Sequence, residues 1–145
     1  MSNFRFPVSL DLRIDWSELD LYGHINNVSY FKYLQASRLN YWEQLGMDPL
    51  NRNAEISPVL ASTKCDFKRP LYFPGNIQVR ASVTELGNTS FSIFHEIRDN
   101  KGILAAEGFD VIVLFNNEKG EKTLIPESMR ARIESLEQQV FPRTV

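Results

Sequence analysis

The sequence predicts an α+β domain in which a curled antiparallel sheet of five strands wraps around one long central helix. Three observations predict it: an alternating strand at the start, a run of helical period behind it, and four strand-like runs after that, separated by turn residues. A length of 145 residues leaves room for one core, so residues 1–145 are read as a single domain.

Each element has a local reason. Val8, Leu10, Leu12, Ile14 and Trp16 alternate with Ser9, Asp11, Arg13 and Asp15, the pattern of a half-buried strand. Ser17 to Asn27 is polar, contains Gly23 and reads as a loop. Tyr30, Phe31, Leu34, Tyr41, Trp42 and Leu45 then recur at helical spacing, about 27 Å of helix at 1.5 Å per residue. Asn26 or Asn27 caps its start, and Gly46 with Pro49 beyond it marks the stop. Met47 to Pro58 is irregular and polar, long enough for a flap. Val59–Phe67, Ile77–Leu86, Ser90–Arg98 and Leu104–Phe115 are the four later strands. Pro74-Gly75, Gly87-Asn88 and Asp99-Asn100-Lys101-Gly102 separate them, and such short connections imply antiparallel neighbours. The last run is apolar on both faces, as in a central strand covered on both sides. A short helix, about Pro126 to Gln139, closes the chain.

One amphipathic helix beside a single sheet, with no second layer, is best buried if the sheet curls around it. The expected architecture is therefore hotdog-like, with open sheet edges that pair with a second copy to give a homodimer or homotetramer. Composition closes off several functions. Cys65 is the one cysteine and cannot form an internal disulfide, and two histidines are too few for a structural zinc cluster. A reducing, cytoplasmic setting is the simple expectation, with no metal and no cofactor. Sixteen basic and eighteen acidic residues, with no block of like charge, show no nucleic-acid footprint. No stretch approaches the ~20 apolar residues of a membrane span.

Chemistry concentrates in Asp20-Leu21-Tyr22-Gly23-His24-Ile25-Asn26-Asn27, between the first strand and the helix. The first turn of a helix carries N–H groups without internal partners and a partial positive charge, so it can hold the oxyanion formed when a carbonyl is attacked. Gly23 lets the chain bend and brings a substrate close to backbone. Asp20 and His24 are the available nucleophile or base. Taken singly, Asp, Asn and Gly are ordinary loop residues, and His24 can simply hydrogen-bond its own loop.

The wider pattern is more informative. Arg13 to Tyr30, with Asp20, Gly23, His24, Asn26, Asn27 and Tyr30 at fixed spacing and Ser37-Arg38 on the helix, resembles the signature of the 4-hydroxybenzoyl-CoA thioesterase family of hotdog enzymes, approximately R-x-x-D-x-D-x-x-G-H-V-N-N-x-x-Y. The similarity continues in Asp66 to Leu71, in the turn Gly87 to Phe91 and in Ile125-Pro126-Glu127. It implies a thioester hydrolase acting on an acyl-CoA or an acyl-carrier-protein substrate, with Asp20 catalytic and the oxyanion held by the backbone N–H of Asn27. His24 matches a histidine that is catalytic in related plant-type enzymes, although Tyr22 stands where those carry asparagine. Glu18 replaces aspartate at the first acidic position, and Asn88 and Thr89 stand where some CoA-specific members carry basic residues before the turn serine, here Ser90.

Gly23, Tyr30, Lys68, Arg69 and Ser90 are candidate substrate contacts, and Pro58 and Val59 are expected by family analogy to complete the pocket from a second subunit. Lys68 and Arg69, with Lys64 and Arg80, are suited to the phosphates of a carrier arm. No acidic residue lies between Val28 and Trp42, so the central helix offers no rival carboxylate. His95 shares a face with Phe91, Ile93 and Ile97 and reads as a satisfied buried histidine, and Cys65 as a packing residue. Two other readings remain: a hotdog hydratase or dehydratase, whose D-x-N-P-x-H pattern is absent here, and an acyl-binding oligomer without turnover.

Overall fold

The computed structural model describes residues 5–48, 51 and 53–143. Its elements, in chain order, are β1 (Val8–Arg13), α1 (Asn27–Gln44), β2 (Ile56–Phe67), β3 (Asn76–Leu86), β4 (Ser90–Arg98), β5 (Leu104–Asn116), β6 (Glu121–Lys122) and α2 (Glu127–Glu137). The strands form one antiparallel sheet in the order β1-β3-β4-β5-β2, with the two-residue β6 added beside β5. Helix α1 packs on β1, β3 and β4, and its Leu34 seats against Gly108 of β5, so the sheet curls around one helix as expected. This is the hotdog arrangement.

The core lies between α1 and the concave face in two apolar patches. One gathers Tyr41, Trp42 and Leu45 with Phe91, Ile93 and Ile112, and α2 closes it with Met129 and Ile133. The other gathers Ile25, Tyr30, Tyr33 and Leu34 with Leu71, Val79, Ile97 and Ala106. Each such side chain contributes roughly 1.5–3 kcal/mol by leaving water. Helix α2 is locked in place by Glu137, whose buried carboxylate accepts from Tyr41 Oη at 2.5 Å, Ser82 Oγ at 2.7 Å and the Val83 N–H at 2.8 Å.

Several expectations need correction. β1 stops at Arg13 instead of running to Trp16, because Asp15 and Glu18 cap a single 3-10 turn over Trp16–Glu18. Trp16 is turned outward as a result and is 70% exposed. β2 begins at Ile56, so Pro58 belongs to a strand and not to a flap; its place on an edge strand suits a residue with no N–H to donate. Pro49, expected to mark the helix stop, lies outside the described residues, as do 50 and 52 of the expected flap. β2 and β3 are not neighbours: residues 68–75 carry the chain across the sheet, and β2 pairs with β5. β5 is interior to the sheet, but only one face meets the helix. Phe109 on the other face is 47% exposed.

Gly108 is the closest approach of sheet to helix. A Cβ there would lie 2.6 Å from Leu34 Cδ2, and Leu34 is fully buried, so it has nowhere to go. Gly108→Ala is therefore expected to lower stability by about 1–3 kcal/mol. Urea unfolding checks this; an unshifted midpoint would show that the helix does not press on β5.

Candidate active site

The loop between β1 and α1 is built by its own hydrogen bonds. The Asp20 N–H donates to His24 O at 2.7 Å, and Asp20 Oδ1 accepts from the N–H groups of Tyr22 at 2.8 Å and His24 at 3.1 Å. These close a tight turn that Gly23 completes with φ of +82°, a conformation other residues adopt only with strain. Asp20 Oδ2 has no donor among the described residues.

The helix start is fixed beside that turn. Asn26 is the cap: its Oδ1 accepts the Ser29 N–H at 2.9 Å, while its own N–H and Nδ2 both donate to Glu18 O, at 2.9 and 3.0 Å. Of the two asparagines open to the role, Asn26 takes it and Asn27 becomes the first helical residue, whose N–H has no acceptor inside the helix. Glu18 is itself buried, accepting from Tyr33 Oη at 2.8 Å, Lys32 Nζ at 3.2 Å and the Asp15 N–H at 2.8 Å. Burial, together with hydrogen bonding to this carboxylate, pushes the Tyr33 phenol far above its ordinary range.

Segment 67–70 forms the opposite wall. Tyr30 Oη donates to Arg69 O at 3.2 Å and accepts the Leu71 N–H at 3.1 Å, which ties that segment to the first turn of α1. Ala105 O accepts the N–H groups of both Lys68 and Arg69. The His24 ring stands edge-on to Tyr72, with centroids 5.3 Å apart. Between the walls lies a cleft of ≈ 370 Å³ that brings together Asp20, His24, Asn27, Tyr30, Lys68 and Arg69 of the sequence-predicted residues, with Ile25 and Phe67 as apolar lining. Lys68 lies 3.5 Å from Glu107, and Arg69 has no side-chain partner among the described residues.

The other predicted contacts stand apart in one chain. Gly23 shapes the turn without lining the cleft, Pro58 borders a different cavity, Val59 is exposed on β2, and Ser90 sits at the β3–β4 turn. Lys64 pairs with Asp66 and Arg80 with Glu96, so both are engaged. Burial pushes the Cys65 thiol up to about 11, leaving it protonated at neutral pH.

Sequence reasoning placed His95 in the core but missed what it joins. His95 Nε2 lies 2.7 Å from Asp110 Oδ2 and Nδ1 lies 2.9 Å from Ser37 Oγ; Asp110 also accepts from Arg38 and from Thr63 Oγ1. The composition is that of a hydrolase triad, yet Ser37 is 1% exposed and no substrate reaches it. Ser37, His95 and Asp110 form a polar layer between the two apolar patches. An aspartate in the middle of an apolar strand, beside a histidine on the core face of its neighbour, was the available signal.

A sheet curled around α1 is the hotdog arrangement, and the chain belongs to the thioesterase-like superfamily, whose family model matches residues 14–133. Among particular relatives, it is 27% identical over 120 residues to YsmA, an uncharacterized protein of Bacillus subtilis, covering 83% of this chain and 79% of that one. Its structure is similar to a thioesterase from Thermus thermophilus solved with coenzyme A and zinc, with 29% identity, a TM-score of 0.82 and 92% and 96% of the two chains covered. It is also similar to a predicted thioesterase of Bacillus stearothermophilus, with 27% identity, a TM-score of 0.81 and 90% and 96% covered. Among the described residues no helix is long and apolar enough to cross a membrane.

The Asp110 network sets a pH dependence. Burial works against the charged form, but the bonds from His95, Arg38 and Thr63 outweigh it and hold the carboxyl below the ordinary carboxylate range. A lowered native pKa contributes stability that is complete above about pH 4, the unfolded value, and is lost as pH falls through the native one. Asp110→Asn is expected to cost about 3–5 kcal/mol at pH 7 and to flatten the acid limb of the stability curve. Denaturant melts between pH 2 and 7 decide this; parallel curves for the two proteins would contradict it.

Proposed function

We propose that this protein hydrolyses acyl thioesters of coenzyme A, with Asp20 as nucleophile or as base for water and the N–H of Asn27 as oxyanion donor. The observation that carries the reading is that Asp20, whose Oδ2 has no donor among the described residues, lines one cleft with Asn27, the first residue of α1. With the thioester carbonyl oxygen at that amide, its carbon faces Oδ2 or a water held there. Attack forms a tetrahedral oxyanion that the helix end stabilises, the C–S bond breaks and the thiol leaves with a proton. In the nucleophile route water then cleaves the acyl-aspartyl anhydride; in the base route water attacks directly. Both give one acid and one thiol per water consumed.

His24 and Gly23 act in this reading by shaping the Asp20 turn, and Tyr30, with Ile25 and Phe67, by lining the path of the acyl group. Lys68 and Arg69 take the phosphates of the carrier arm, and the Arg69 side chain has no partner among the described residues. Coenzyme A as carrier is supported by the related Thermus thermophilus enzyme that holds it. Pro58 and Val59 lie on β2, whose twelve residues leave one edge unpaired and are exposed at nine positions. Such an edge calls for a partner strand, and a second copy supplies it; Pro58 and Val59 then complete the neighbour's cleft, with Ser90 a further contact for the carrier.

Thiol release from a panel of acyl-CoAs tests the assignment. Asp20→Asn is expected to lower turnover by ~10²–10⁴, and wild-type rates in that variant would remove Asp20 from the chemistry. The oxyanion donor has its own test in Asn27→Pro. Proline fits the first helical position and Asn26 already has the extended backbone a following proline requires, with φ −68° and ψ 153°. The variant is expected to stay folded and lose ~10²–10³ in turnover, whereas unimpaired turnover would place the oxyanion elsewhere.

A further inference from the structure

The three donors around the Glu18 carboxylate are unequal. Oε1 accepts from the Asp15 N–H at 2.8 Å and from Tyr33 Oη at 2.8 Å, and Oε2 accepts from Lys32 Nζ at 3.2 Å. The Asp15 N–H belongs to the same capped 3-10 turn as Glu18, so its bond shapes that turn without tying it to another element. Lys32 is on α1, but its side chain is 70% exposed, and water and salt weaken a bridge of that kind. Tyr33 is on α1 and buried, packed in one patch with Ile25, Tyr30, Leu34 and Leu71. Burial, together with the bond to a carboxylate, keeps its phenol protonated and so always a donor. Of the three, only Tyr33 makes a dry link between helix and turn.

That link closes a circuit. From Tyr33 it runs through the Glu18 side chain to the Glu18 carbonyl, which accepts the N–H of Asn26 at 2.9 Å and its Nδ2 at 3.0 Å. Asn26 caps α1, and the helix returns from Asn27 to Tyr33 over roughly 9 Å at 1.5 Å per residue. The Asp20 turn is strung between the two bonded residues, with Leu19 and Ile25 bridged at its base. Without the phenol, Lys32 is the one side chain of α1 that bonds Glu18 among the described residues.

We propose that Tyr33 is a positioning residue for the Asp20 cleft: through Glu18 it holds the first amide of α1 in register with the Asp20 carboxylate. The inference rests on the reading of Asp20 and Asn27 given above; Tyr33 does not itself line the cleft. Tyr33→Phe tests it in the full chain, and because Glu18 keeps two donors the variant folds. Tyr41→Phe is the matched control. Tyr41 Oη likewise donates to a buried carboxylate, that of Glu137, at 2.5 Å, but it lies roughly 21 Å along the helix axis from Asn27. Tyr33→Phe is expected to lower kcat for an acyl-CoA ~10–100-fold with KM unchanged. It is also expected to speed hydrogen exchange at the Asn26 N–H about tenfold, read by NMR. Tyr41→Phe leaves kcat, KM and that exchange rate as they are in the unaltered chain. An unchanged kcat or an unchanged Asn26 exchange rate in Tyr33→Phe, a rise in KM in place of the fall in kcat, or losses shared equally by Tyr41→Phe would each overturn the proposal. The exchange rate needs no turnover, so it reads the tie from Tyr33 to the cap even if Asp20→Asn hydrolyses at the wild-type rate. That rate would remove Asp20 from the chemistry, whereas a slow Asp20→Asn beside an unimpaired Tyr33→Phe would remove Tyr33 alone.

Discussion

One backbone carbonyl, that of Glu18, holds the candidate site together by accepting both the N–H and the side-chain Nδ2 of Asn26. The first residue of α1 follows directly, and the Asp20 turn lies between the two bonded residues, so the spacing of carboxylate and helix amide is set by this clamp. Each bond is worth only about 0.5–1.5 kcal/mol, but the carbonyl cannot drift, because the Glu18 side chain is buried under donors from Tyr33, Lys32 and Asp15. The buried carboxylate costs desolvation and returns a fixed position. That exchange suits a site whose geometry matters more than its contribution to stability.

The rest of the fold serves the same constraint at longer range. Curling the sheet buries α1 along its length, and Gly108 lets helix and sheet approach where Leu34 fills the gap. The crossing segment 68–75 is drawn onto the helix start by Tyr30, which closes the cleft from the side the loop leaves open. The polar layer of Ser37, His95 and Asp110 divides the core at mid-helix. On one side of it lies the apolar patch at the Asp20 end of α1, and on the other the patch that α2 closes.

Much of this was legible in the chain. Period-two alternation located the start of β1, apolar runs bounded by turn residues located β3, β4 and β5 to within a residue, and the helical period located α1, because side chains that must face one core leave that record. The Asp20 to Asn27 loop stood out because a carboxylate, a glycine and a helix cap occurred together. Tertiary choices were not legible. Nothing local told that β2 crosses to the far edge, since strand order is decided by the whole sheet. Trp16 was misread because alternation continued one residue past the point where Asp15 and Glu18 capped a turn. The Ser37–His95–Asp110 layer joins a helix to two strands more than fifty residues further on, and the register of β4 against β5 and the packing of α1 bring it together.

The central claim is spatial: a thioester carbonyl sits between Asp20 Oδ2 and the amide that opens α1. A crystal structure of the unaltered chain with an acyl-CoA analogue in which a methylene replaces the sulfur tests it most directly. The account predicts the ketone oxygen about 2.7–3.1 Å from the Asn27 nitrogen and its carbon facing the Asp20 carboxylate, directly or across one water. An analogue bound with its ketone away from both groups would contradict it.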